Sequence, residues 1–120
     1  MVEFSCLVGV SLVGSPEKWD IFMADPFTFE PAMAEENGGV YWDCSKTFVV
    51  DLPDNDMINE LRVARNAIVS LSDVSHASGS QDPVEYKIGT EDLPARVQLV
   101  KHLNKAKLVV NCKMLRNPLG

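Results

Sequence analysis

The run DLPDNDMINELRVARNAIVSLS, residues 51–72, limits what this chain can fold into more than any other stretch. Met57, Leu61, Ala64, Ile68 and Leu71 recur at steps of four and three, which puts them on one stripe of an α-helix and leaves Glu60, Arg62, Arg65, Asn66 and Ser70 off it. Such a helix needs a surface to pack on. Its start is marked by Pro53 and Asp54: an aspartate side chain accepts from the free N–H groups of the first turn, and Asp56 adds negative charge at the positive end of the dipole.

The flanking segments supply that surface. Residues 2–13 alternate, with Val2, Phe4, Cys6, Val8, Val10 and Leu12 on one face, so a strand is expected there. Residues 40–50 alternate in the same way through Val40, Trp42, Cys44, Phe48 and Val50, interrupted at Lys46. Short strands are expected at residues 84–88 and 108–114. Between the last two, Leu93, Val97, Val100 and Leu103 fit a second amphipathic helix, with Pro94 in its first turn. Ser15-Pro16-Glu17 reads as the opening of a short third helix reaching about Met23.

From residue 40 the expected order is strand, helix, strand, helix, strand, the pattern of βαβ crossovers. The expected fold class is therefore α+β, with α/β as the variant. It is a single domain over residues 1–120, with a mixed sheet of about four strands and two main amphipathic helices on it. A length of 120 residues with 46% hydrophobic content suits one core. Residues 14–39 form a long aromatic-rich connection broken by Pro26, Pro31 and Gly38-Gly39, and the small polar residues of 73–83 read as a mobile loop.

Charge divides the chain. Residues 1–60 hold 12 acids and 2 bases, whereas residues 61–120 hold 5 acids and 9 bases, a split of −10 against +4. Either the halves neutralise each other within one fold, which is the preferred reading, or the acidic half of one copy meets the basic end of another. The N-terminus is apolar but carries Glu3 and no base before Lys18, so it lacks the positive region of a signal peptide. It is also too short to span a bilayer, and a soluble, cytoplasmic protein is expected. Three widely spaced cysteines without a C-x-x-C pair fit neither a disulfide framework nor a zinc knuckle.

Each candidate site has a structural reading beside the functional one. Trp19, Phe22, Phe27 and Phe29 either close one end of the core or form a surface for a partner. Lys101 and Lys105 are the basic contacts of the self-association reading, and with His102 they also suit a helix C-terminus. Asp51, Asp54 and Asp56 could together hold Mg²⁺ or Ca²⁺, but their spacing is not that of a calcium loop and helix capping accounts for Asp54 and Asp56. His76 stands among Ser75, Ser78, Ser80, Asp73 and Asp82, the residue types of a hydrolytic triad, yet a loop lacks the rigid elements a triad needs. Cys6, Cys44 and Cys112 fall on inward registers and read as core, with a three-thiol metal site as the minor alternative. Gly89-Thr90 offers N–H groups to an anion, but Glu91 and Asp92 beside it repel one.

No catalytic signature or cofactor motif is present, and nucleic-acid binding is disfavoured by the acidity and by the lack of aromatics in the basic quarter. The leading expectation is a non-enzymatic interaction or assembly protein that self-associates as a homo-oligomer through oppositely charged surfaces. The alternatives are a small enzyme or ligand- or metal-binding domain using the turn from Asp51 to Asp56, and an acidic, virus-encoded inhibitor or nucleic-acid mimic.

Overall fold

The computed structural model of the protein describes residues 4–14, 18–73, 84–116 and 118. Its strands in chain order are β1 (Phe4–Leu12), β2 (Asp20–Met23), β3 (Ala32–Glu36), β4 (Gly39–Asp43) and β5 (Lys46–Asp51), then β6 (Arg65–Asp73), β7 (Val84–Ile88), β8 (Ala95–His102), β9 (Lys105–Asn111) and β10 (Lys113–Met114). Among the described residues the one helix is α1 (Asn55–Leu61), between β5 and β6.

Seven strands form one antiparallel sheet in the order β2-β1-β6-β8-β9-β5, with β7 added on β6. Strand β6 is the hub. Its first residues pair with β8 and its last five with β7, while its other edge carries β1. The two ends of the order meet at Ala24, just past β2. Its N–H donates to the Cys6 carbonyl on β1 at 2.7 Å, it bridges Val50 of β5, and the Asp25 N–H donates to the Val49 carbonyl at 2.8 Å. The sheet is thereby closed into a barrel along this seam, while β7 keeps one partner, β6, among the described residues.

Alternation along each strand fills the interior. Val8 and Val10, Phe22, Phe48 and Val50, Ala67, Val69 and Leu71, Ile88, Val97 and Leu99, and Leu108 and Val110 all enter one buried core. Helix α1 lies against β8 and closes the core between the end of β5 and the start of β6, with Leu61 buried and Met57 and Ile58 packed beside it. Asp54 is its N-cap as expected, accepting from the Met57 N–H at 3.0 Å.

A smaller antiparallel sheet, β10-β4-β3, hangs from this barrel. Strands β3 and β4 are joined by the two residues Asn37 and Gly38, at φ 52° and 80°. Positive φ at both positions makes a turn whose twist matches that of the paired strands, and Asn-Gly is the sequence best suited to it.

The expected α+β fold, with two main helices on a four-strand mixed sheet, is overturned. The helix begun at Asp54 ends at Leu61, and the rest of the apolar stripe belongs to β6. There Ala67, Val69 and Leu71 point inward at a period of two, and Asn66, Ile68 and Ser70 point outward. Ala64, Ile68 and Leu71 match a helical stripe only because steps of three and four also fall among these apolar positions. Pairing with three strands outweighs the local preference. The second helix is likewise absent: Ala95, Val97 and Leu99 alternate inward along β8, while Leu93, Val100 and Leu103 are exposed. Within the connection at 14–39, strands β2 and β3 replace the expected short helix and irregular chain. Ser15-Pro16-Glu17 and residues 74–83 of the expected mobile loop lie outside the described residues. Among those described, no helix is long and apolar enough to cross a membrane.

Candidate interaction surface

The pairing of β1 with β2 decides what the barrel shows to solvent on one wall. Val8 opposite Phe22 points inward, so the neighbouring pairs Leu7 with Met23 and Gly9 with Ile21 point outward. Leu7, Ile21 and Met23 are 47%, 60% and 49% exposed, an apolar row on the outside of a closed sheet. A Cβ on Gly9 would lie 3.3 Å from Cε3 of Trp19 and 3.4 Å from Cδ1 of Ile21. Glycine at this position lets the indole and the isoleucine lie close against the wall. Lys87 of β7 holds its Nζ 5.6 Å from the centre of a Trp19 ring, in cation–π range.

Leu7, Gly9, Trp19, Ile21, Ser70, Ser72 and Glu85 line an open cup of about 360 Å³ on this wall. Its polar side is organised, since the Ser70 hydroxyl donates to Glu85 Oε1 at 2.6 Å. Near the same strands, the Asp20 carboxyl is raised above its ordinary range chiefly by burial, against the lowering effect of Lys18 and with Glu60 and Asp54 adding to it.

The β8–β9 hairpin forms the second exposed apolar feature. His102 pairs with Lys105, so Leu103 and Asn104 make the two-residue turn. Leu103 stands at φ 54° and is 82% exposed. A leucine there is strained, because its Cβ crowds the backbone in the left-handed region, where glycine or asparagine is favoured. Val100 on the same hairpin is also exposed.

The expected site residues are distributed as follows. Phe22 and Phe29 are buried in the core, Phe27 is half-buried with its ring edge-on to Phe48 at 4.8 Å, and Trp19 is on the surface. Lys101 is exposed. Lys105 is claimed within its own chain, with Nζ 2.7 Å from Asp51 and 3.1 Å from Asp25. These hydrogen bonds, Asp51 first and Asp25 second, hold its ammonium above the ordinary lysine range. At this point the acidic half and the basic quarter neutralise each other inside one fold. Of the three turn carboxylates, Asp51 serves Lys105 and Asp54 caps α1, while Asp56 lies in the helix's first turn. Among the described residues no three His, Cys, Asp or Glu side chains gather closely enough to hold a metal ion. His76 lies outside the described residues. Gly89-Thr90 opens no helix; Thr90 instead closes a turn with Leu93, its Oγ1 accepting from the Leu93 N–H at 3.0 Å.

A polar groove of about 580 Å³ crosses another part of the outer wall. Register lines up Asn66, Arg96 and Asn111 across β6, β8 and β9, and Arg96 donates to Asn66 Oδ1 at 3.2 Å. Asp43, Asp92 and Lys113 share the groove, so its charges are of both signs. Its serine, Ser45, accepts from the Cys112 N–H at 3.4 Å through Oγ and is flanked by no histidine base.

The apolar row and the hairpin tip are absent from the expected sites. The helix signal at residues 15–17 obscured β2, and His-Leu-Asn-Lys contains no glycine to mark a turn. Compared with known proteins, the chain matches no family model, no curated protein and no solved structure.

Proposed function

We propose that the protein is a non-enzymatic assembly protein that binds copies of itself, with the Leu103 tip of one copy seated in the Trp19 cup of the next. The observation that carries this reading is Leu103: a bulky apolar residue at positive φ, almost wholly exposed, at the tip of a two-residue turn. Both the strain and the exposure are unfavourable in an isolated subunit, and residues held in such conformations cluster at functional sites. The cup offers what that tip needs, an apolar rim of Leu7 and Ile21 with an aromatic wall. Lys101 and Lys107 flank the tip, and the cup carries Glu85 as well as Lys87 over Trp19, so apolar burial rather than charge holds the contact.

Tip and cup are different patches, so the contact either reciprocates in a two-fold dimer or repeats head-to-tail into a ring or a filament. A cytoplasmic setting belongs to the same reading, with the three thiols reduced at rest and a pair formed only under an oxidising challenge. Sedimentation velocity over a range of concentrations tests it. The expected result is a concentration-dependent oligomer that Leu103→Asn reduces to monomer without loss of thermal stability, since asparagine tolerates positive φ. A monomer at low and physiological salt alike, or an oligomer indifferent to Leu103→Asn, would overturn it.

A further inference from the structure

Cys44 and Cys112 are distant in sequence and opposite each other in the fold. One step along each chain from the pair Asp43 and Lys113 reaches them, and two steps back from the pair Lys46 and Val110 reaches the same two residues. The ribbon made by β4 and β5 with β10 and β9 therefore keeps one register across the joint between the two sheets. At that joint the Cys44 N–H donates to the Cys112 carbonyl at 2.9 Å. The reciprocal bond is not made, because the Cys112 N–H turns to Ser45 Oγ at 3.4 Å, but opposed residues of an antiparallel pair have side chains on one face and Cα atoms about 4.5–5.5 Å apart, inside the span of about 4.4–6.8 Å that a disulfide bridges. Both side chains enter the same core, and both thiols are free.

We propose that Cys44 and Cys112 are a modification site, a thiol pair that a small-molecule disulfide such as oxidised glutathione converts to a cross-strand disulfide tying the small sheet to the barrel. One cysteine thiolate attacks the glutathione disulfide, forming a mixed disulfide and releasing one glutathione. The second thiolate attacks the protein sulfur of that mixed disulfide, closing the Cys44–Cys112 bond and releasing another. Two protein S–H groups are oxidised, one glutathione S–S bond is reduced, and the two protons end on the released thiols.

The structure also orders the steps. Burial pushes the Cys112 thiol up to about 11, whereas burial and then the neighbouring Cys112 push Cys44 up to about 12. Cys112 stands beside the two-residue strand β10 and is slightly less covered than Cys44, so it meets the oxidant first and Cys44 resolves. Burial holds both thiols protonated near neutral pH, and the native pair reacts slowly. Opening of β10, which pairs with β4 through only two residues, exposes Cys112 to the oxidant.

The full chain is held to equilibrium in a buffer of reduced and oxidised glutathione, both as native protein and during refolding from denaturant in the same buffer. Free thiols are then alkylated and intact and tryptic masses measured. The expected product has one alkylated cysteine, Cys6, and a cross-link between the tryptic peptides 19–46 and 108–113. Cys6→Ser keeps this cross-link and Cys112→Ser abolishes it, and the oxidised form melts several degrees above the reduced one only where both cysteines are present. Bonds to Cys6, adducts of glutathione on Cys44 and Cys112 without a bond between them, or three free thiols after refolding would overturn the proposal.

Discussion

Ile68 and Leu71 sit three residues apart and separate a helix from a strand by experiment. On a helix they share a face. On β6 they do not: Leu71 is wholly buried in the barrel, whereas Ile68 is a half-covered residue of the outer wall opposite Ser11. Truncating either to alanine removes three carbons. For Leu71 the lost transfer energy at about 0.8 kcal/mol per carbon is about 2.4 kcal/mol, and an unfilled interior cavity adds about 1, for a loss of about 3.5 kcal/mol. For Ile68 roughly half the transfer term applies and no closed cavity forms, so the loss is about 1 kcal/mol. Urea unfolding followed by the fluorescence of Trp19 and Trp42 measures both. With a slope of about 1.5–2 kcal/mol/M, Leu71→Ala lowers the midpoint by about 2 M and Ile68→Ala by about 0.5 M. Losses equal to within about 0.5 kcal/mol would place both residues on one face and refute the strand assignment.

Asp54→Ala removes the oxygen that accepts from the Met57 N–H and lowers stability by about 1 kcal/mol, whereas Asp54→Asn retains most of it; thermal melts of the two variants compare directly. Lys105→Met removes both ion pairs, and its effect on stability has a defined pH window. The folded ammonium titrates above its ordinary value of 10.5, so the contribution is fully present below that pH and fades as pH rises through the folded value. Melting curves of wild type and variant should therefore differ at neutral pH and converge in strong alkali. A constant gap across that range would show that Lys105 acts through its hydrocarbon stem rather than its charge.

Much of the strand content was legible. Alternation located β1, β7 and β9 within a few residues, because each has one face committed to the core, whereas the single strand expected over residues 40–50 falls across β4 and β5, which part at Cys44-Ser45. Asp54 was legible as a cap because capping depends on a few adjacent residues. Strands β6 and β8 were misread where apolar residues satisfy periods of two and of three to four at once, and the decision lies in partners far along the chain. The β3–β4 hairpin carries a local sign, Asn37-Gly38, that overlaps the pair Gly38-Gly39, and glycines there read as readily as a break in structure as a turn. The cup was hidden for a different reason. Both faces of β1 carry apolar residues, and nothing local tells which face the closed barrel leaves outside.

The position of β6 at the hub of the barrel has a consequence for synthesis on the ribosome. Strand β1 cannot complete its pairing when it emerges, because among the described residues its neighbour besides β2 is β6, made more than fifty residues later. The seam at Ala24 waits in the same way for β5. Through that interval the apolar residues of β1 and β2 have no sheet to cover them, because an isolated two-stranded pair is marginal in water. Once β6 arrives, it joins strands on both of its edges, so the barrel is expected to form in one cooperative step rather than grow from the N-terminus.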